Sequence, residues 1–192
     1  MRYAALLGER RFYGLLLRVD EDLAAQARAA GCRVCGQSVH AGNFRRKARG
    51  VPRGLEQDYA WRLSFCCARR ECRKRLTPSS VRFLGRKVYL GAVVVLVSAL
   101  RCGVTPTRIA RIAELLGVSR RTVDRWRRWW TEVFPQTRCW AAGSGLFSVP
   151  VSTAQLPQSL LERFAGPLQS ALQALLRFML PVTGGDHAVR AM

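Results

Sequence analysis

The chain has 192 residues, with 32 Lys+Arg against 12 Asp+Glu and a net charge of +20. That length allows one large domain or two small ones with hydrophobic cores, and the charge repels itself and favours a polyanionic partner. The longest apolar run, residues 88–100, is too short to span a bilayer, and the opening MRYAALLGERRFYG has too short an apolar stretch for a secretion signal. No membrane partner is expected, and the expected compartment is the cytoplasm. Seven cysteines, an odd number with no secretion signal, point to a metal site in a reducing compartment and not to a disulfide framework.

Residues 18–30 read as a helix. Asp20 caps it, Leu23, Ala24 and Ala27 recur at helical spacing, and Gly31 stops it. Residues 32–87 change character and carry 15 basic and 3 acidic side chains. They begin with the knuckle Cys32-Arg33-Val34-Cys35-Gly36. Two sulfurs at this spacing converge on one metal only where the chain turns sharply, and the glycine supplies the turn. A looser knuckle, Cys67-Ala68-Arg69-Arg70-Glu71-Cys72, follows downstream. Four thiolates suit a closed, structural zinc site, which replaces the core that so polar a segment lacks.

Between the knuckles, Tyr59, Trp61, Leu63 and Phe65 alternate with Ala60, Arg62 and Ser64 as in a strand. Cys66 and Cys67 are adjacent, so either can be the third ligand. Strand parity with Trp61, Leu63 and Phe65 favours Cys67. His40 is a further candidate to replace a cysteine. The basic run Arg45-Arg46-Lys47 is expected to contact phosphates without reading sequence. Two knuckles joined by strands resemble a zinc ribbon, with predicted ligands Cys32, Cys35, Cys67 and Cys72.

Residues 84–102 read as a core helix closed by Cys102-Gly103, although Val93, Val94, Val95 and Val97 leave a strand open. Thr105-Pro106 opens the next helix, which places Ile109, Ile112, Ala113 and Leu116 on one buried stripe. Gly117 supplies a tight turn, Val118 fills the angle between helices, and Ser119 caps a second helix that buries Val123, Trp126 and Trp130. The opposite face carries Arg120, Arg121, Asp124, Arg125 and Arg128. Phe134-Pro135 ends the unit. Residues 136–155 read as a loop or short strands, and 158–180 as a helical pair interrupted at Gly166-Pro167, with a frayed end beyond 181. Cys102 and Cys139 read as buried or partly buried thiols.

The expected fold is α+β and mostly α: a small four-cysteine zinc ribbon followed by a helical helix-turn-helix domain. The expected divisions are an N-terminal helical segment (1–31), the ribbon (32–83), the helix-turn-helix domain (84–135) and a C-terminal loop and helical segment (136–192). No enzyme is expected. The histidines are two, the acids are scattered, with Asp20, Glu21, Asp22 and Glu114 assigned to helix surfaces, and neither a phosphate-binding loop nor a nucleophile elbow occurs.

The segment Ile112-Ala113-Glu114-Leu115-Leu116-Gly117-Val118-Ser119-Arg120-Arg121-Thr122-Val123-Asp124-Arg125-Trp126 resembles the helix-turn-helix of bacterial repressors, recombinases and insertion-sequence transposases. A zinc ribbon ahead of such a unit resembles the N-terminal region of some transposases and their accessory proteins. The resemblance implies sequence-specific binding of double-stranded DNA at the nucleoid. It further implies a non-catalytic accessory or targeting factor of a mobile element, with a transposase or integrase as partner, because no transposase catalytic domain fits in the remaining chain. It implies that Arg120, Arg121 and Arg125 face base edges, that Ser119 and Thr122 touch phosphates, and that Arg108, Arg111 and Arg128 flank them on the backbone. The alternatives are a transcriptional regulator, and an RNA- or single-strand-binding ribbon in which Trp61, Tyr59 and Phe44 stack on bases. A small zinc enzyme and a protein-interaction module built on 160–180 are further rivals.

Overall fold

The computed structural model describes residues 2–46, 55, 57–84, 90–99, 107, 110, 114 and 116–183. Helix α1 spans Arg2–Leu7 and helix α2 spans Arg10–Ala30. The expected helix at 18–30 is thus the C-terminal half of a longer one. Phe12, Tyr13 and Leu16 extend the buried stripe of Val19 and Ala24 backward at helical spacing. Asp20 does not cap this helix: it lies in the middle and is 1% exposed, a correction to its assignment as a cap on the surface. Gly31 ends α2 at φ +73°, donating its N–H to the Arg28 carbonyl.

Among the described residues five short strands follow: β1 (Val39–Ala41), β2 (Phe44–Arg45), β3 (Trp61–Arg62), β4 (Phe65–Cys67) and β5 (Arg75–Leu76). They form a three-stranded sheet ordered β1-β4-β5 and a separate antiparallel pair β2-β3. The single alternating strand expected at 59–65 is broken. A 3₁₀ turn occupies Gln57–Ala60, and the chain leaves the ladder at Leu63–Ser64, where the Ser64 N–H donates to Asn43 Oδ1 at 3.0 Å. The break resets the alternation. Phe65 and Cys67 point inward as expected, but Trp61 is exposed and Arg62 is 2% exposed.

Helix α3 (Gly91–Ala99) is buried on every side. This settles its valines as helical, because burial all round overrides a modest β preference. Gly91 is needed there: a Cβ would lie 3.0 Å from the Leu176 side chain and 3.2 Å from the Val81 carbonyl oxygen. Thr107, Ala110 and Glu114 are helical, and helix α4 spans Arg120–Arg128. A π turn at Trp129–Val133 and a 3₁₀ turn at Phe134–Gln136 end this run. Residues 136–155, expected as a loop or short strands, hold helix α5 (Arg138–Gly143) and two 3₁₀ turns. The Thr137 hydroxyl caps α5 by accepting from the Trp140 N–H at 3.2 Å. The expected helical pair is present as α6 (Gln158–Leu161) and α7 (Leu168–Phe178), parted by Gly166-Pro167, with a last turn α8 (Leu180–Thr183).

Two cores result. The larger joins Phe12, Tyr13 and Leu16 of α2 to α3, to Val123, Trp126, Trp130 and Phe134, and to Leu172, Leu175 and Leu176 of α7. The smaller joins Ala24 of α2 to Cys32, Val39, Phe65, Cys67 and Leu76. Helix α2 therefore serves both, with Phe12 to Val19 and Leu23 in the larger and Ala24 and Ala27 in the smaller. Cys139 is half-buried and its thiol faces the Phe178 carbonyl at 3.6 Å. Cys102, Lys47, Arg108, Ile109, Arg111, Ile112, Ala113 and His187 lie outside the described residues.

Candidate metal centre and nucleic-acid interface

The first knuckle forms where α2 stops. Cys32 donates its N–H to the Gln37 carbonyl and accepts at its own carbonyl from Gly36, each at 2.8 Å. Gly36 sits at φ +72°, which a side chain rarely adopts. The second knuckle closes in the same manner between β4 and β5. Cys67 donates its N–H to the Lys74 carbonyl at 2.9 Å, and Arg73 donates to the Arg69 carbonyl at 3.0 Å. The residue after the last cysteine is again left-handed, here Arg73 at φ +46°. A non-glycine residue is uncommon at such an angle, and the reversal of the knuckle imposes it.

These turns bring Cys32, Cys35, Cys67 and Cys72 together, with their sulfurs all within 4.8 Å of one another. The Cys32–Cys72 separation is 3.8 Å and the Cys35–Cys67 separation 3.4 Å. Metal–sulfur bonds of about 2.3 Å in a tetrahedron require sulfur–sulfur edges of about 3.8 Å. The four cysteines are close enough to hold one metal ion. Cys66 turns the other way, its thiol donating to the Arg73 carbonyl at 3.4 Å. His40 pairs with Cys66 across β1 and β4, is exposed, and stands outside the four-sulfur cluster.

The sulfurs are electrostatically unequal. Amide donors from Val34 and then Cys35, with the neighbouring thiols, bring Cys32 down to about 6 against the opposing effect of burial. Burial first, and then the neighbouring sulfurs, push Cys67 up to about 12. Of these two sulfurs Cys32 gives up its proton the more readily, and a metal ion bound here would have to displace the proton of Cys67.

The segment between the knuckles is held by a buried polar cluster with no signal in the local sequence. Asp20 and Arg82 are both essentially inaccessible. The Asp20 carboxylate accepts from Arg82 Nε at 2.8 Å, from the Val81 N–H at 2.8 Å and from the Ser80 hydroxyl at 2.5 Å. The remaining nitrogens of Arg82 donate to the carbonyls of Tyr59 and Trp61, each at 2.8 Å. Arg62 is also buried and donates to the Pro78 carbonyl, and burial lowers its guanidinium to about 10. Tyr59 is 4% exposed and does not present a stacking face, contrary to the single-strand alternative. Phe44 is half-buried, with the guanidinium carbons of Arg46 and Arg75 at 5.3 and 5.4 Å from its ring centre. Arg45 is exposed.

The turn ahead of α4 has the expected geometry. Gly117 takes φ +60° and donates to the Glu114 carbonyl at 3.1 Å. Ser119 is extended, and its hydroxyl accepts from the Thr122 N–H at 3.3 Å. Thr122 is largely buried, with its hydroxyl 3.1 Å from that of Ser119. Val123, Trp126 and Trp130 are buried at 3%, 4% and 0% exposure. Arg120, Arg121, Arg125 and Arg128 are exposed. At about 100° per residue these four span an arc of about 140°, opposite the buried stripe. The first turn of α4 contains no acid. Two arginines at a helix N-terminus oppose the macrodipole by about 0.3–1 kcal/mol each, so helix stability does not account for their placement.

Among the described residues no helix is long and apolar enough to cross a membrane. No curated protein and no solved structure matches the chain. Residues 93–134, which run from α3 through α4 to Phe134, match the homeodomain-like domain family, a helix-turn-helix fold. The match and the capped, arginine-faced helix together support a helix-turn-helix DNA-binding domain in this protein.

Proposed function

We propose that this protein binds double-stranded DNA sequence-specifically through α4 and that its four cysteines hold a structural zinc. The observation that carries the reading is the exposed face of α4. Arg120 and Arg121 stand on a capped helix N-terminus whose free N–H groups and dipole already attract anions. Placing cations there weakens the isolated helix and strengthens its grip on a phosphate backbone. Arg120, Arg121 and Arg125 read base edges, where arginine favours the O6 and N7 of guanine. Ser119 lies nearest the phosphates, supported from the buried side by the Thr122 hydroxyl, with Arg108, Arg111 and Arg128 on the flanking backbone. Arg45, Arg46 and Lys47 add affinity without sequence preference.

Zinc is the metal of this reading because four thiolates leave no open position and suit a soft tetrahedral ion. A closed site serves stability and not catalysis, and the protein acts as a non-catalytic factor. The four segments 1–31, 32–83, 84–135 and 136–192 divide its labour, with 84–135 on the DNA. The net charge of +20 keeps it on DNA at the nucleoid. The biological setting we infer is a mobile element, with this chain targeting a transposase or integrase.

The test compares two variants on a selected site and a scrambled competitor at one salt concentration. Arg121→Ala lowers discrimination at particular base pairs by about 1–3 kcal/mol. Arg45→Ala weakens both sequences alike and reduces the log–log salt slope by about one unit. If Arg121→Ala weakens both sequences equally while Arg45→Ala alters base preference, the ribbon is the reader and the assignment is reversed.

A further inference from the structure

Trp61 is the one aromatic side chain among the large apolar residues that the described part of the chain exposes, at 41%. Three features set it apart from an incidental surface residue. First, its backbone is fixed: its carbonyl accepts from the buried Arg82, which is ion-paired to the buried Asp20. A buried pair of this kind adds little net stability by itself, and here it anchors the two carbonyls that flank the start of β3. Second, β3 pairs with β2 in the register Arg45↔Trp61 and Phe44↔Arg62. Cross-strand partners share a face, so the indole and the Arg45 side chain stand side by side on the exposed face, with Arg62 buried on the other. Third, residues 32–87, which contain this strand pair, carry 15 basic and 3 acidic side chains, so an anionic partner suits the segment.

We propose that Trp61, with Arg45 beside it, is a stacking anchor for an unpaired base of single-stranded DNA. An exposed indole on a backbone held by Arg82 offers a flat π-face at little entropic loss, and the adjacent guanidinium reaches the phosphate of the stacked nucleotide. Duplex DNA has no base free to stack, so this contact is distinct from that of α4. The proposal rests on the DNA-binding reading and adds a second ligand state: a strand opened or ending beside the duplex that α4 holds.

The test measures fluorescence anisotropy with three labelled probes: a mixed-sequence single-stranded DNA of about 12 nucleotides, a blunt duplex, and an RNA of the single-stranded sequence. Trp61→Ala is expected to lower single-strand affinity roughly 5- to 100-fold. The loss holds at every salt concentration without a change in the log–log slope, because the indole carries no charge. The ratio of single-strand to duplex affinity falls with it. Trp61→Phe is expected to retain most of the affinity and to lose the share of the fluorescence quenching on single-strand binding that Trp61 contributes beyond the other four tryptophans, which a merely structural role would not produce. The proposal is overturned if Trp61→Ala binds single strands like the parent, or if its loss is equal on the blunt duplex. It is also overturned, in favour of an RNA ligand, if the Trp61-dependent binding is tighter for RNA than for DNA. A parent protein that binds the duplex and not the single strand removes this proposal and leaves the duplex reading standing. One that binds neither removes both.

Discussion

Asp20→Asn tests the buried polar cluster that joins α2 to residues 80–82, at the end of the ribbon segment. The substitution keeps size and removes charge. In the parent, the carboxylate accepts from Ser80, Val81 and Arg82. An amide offers one acceptor oxygen and turns its NH₂ toward groups that are themselves donors. One neutral hydrogen bond lost is worth about 1 kcal/mol, and a charge-assisted one about 1.5–3 kcal/mol. Arg82, 0% exposed, is left with two carbonyl acceptors and no counter-charge. Breaking a buried pair from one side costs about 3–5 kcal/mol. For a chain of this size 1 kcal/mol moves the melting temperature by about 2–4 °C, so the expected drop is about 6–20 °C.

Thermal and urea unfolding followed by circular dichroism measure it. The double variant Asp20→Leu/Arg82→Met removes both charges and is expected to recover part of the loss, because an uncompensated buried cation is what destabilises the single variant. A single variant that melts within about 3 °C of the parent would refute the magnitude reasoned here. A double variant no more stable than the single would refute its cause.

Two further outcomes are expected. The purified protein should carry about one zinc per chain, and Cys32→Ser/Cys35→Ser should abolish it and expose the ribbon to protease; elemental analysis without zinc after metal-replete expression, or a double variant that stays folded and DNA-competent, overturns the metal assignment. Trp126→Ala should lower stability by about 3–5 kcal/mol through the cavity it leaves between α4 and the larger core, and an unchanged melting temperature would place the indole in solvent.

What the sequence determined by itself was local. The cap at Ser119, the turn at Gly117 and the buried face of Val123, Trp126 and Trp130 depend on interactions within a few residues, so a short window contains their causes. The Cys32 knuckle was legible for the same reason, and parity alone favoured Cys67 over Cys66. The beginning of α2 was missed although its stripe was present, because a glycine and two charged residues interrupt the stretch around Phe12 and Tyr13. Tertiary structure decided what rests on distant partners. The valines of α3 are helical because every face is covered. Asp20 is buried because Arg82 lies opposite it, 62 residues away in the chain. Trp61 faces outward because the strand breaks at Leu63–Ser64 and Arg62 finds an acceptor in Pro78. Strand alternation predicts sidedness only while the ladder continues, and whether a polar side chain can be buried depends on donors and acceptors that no local window contains.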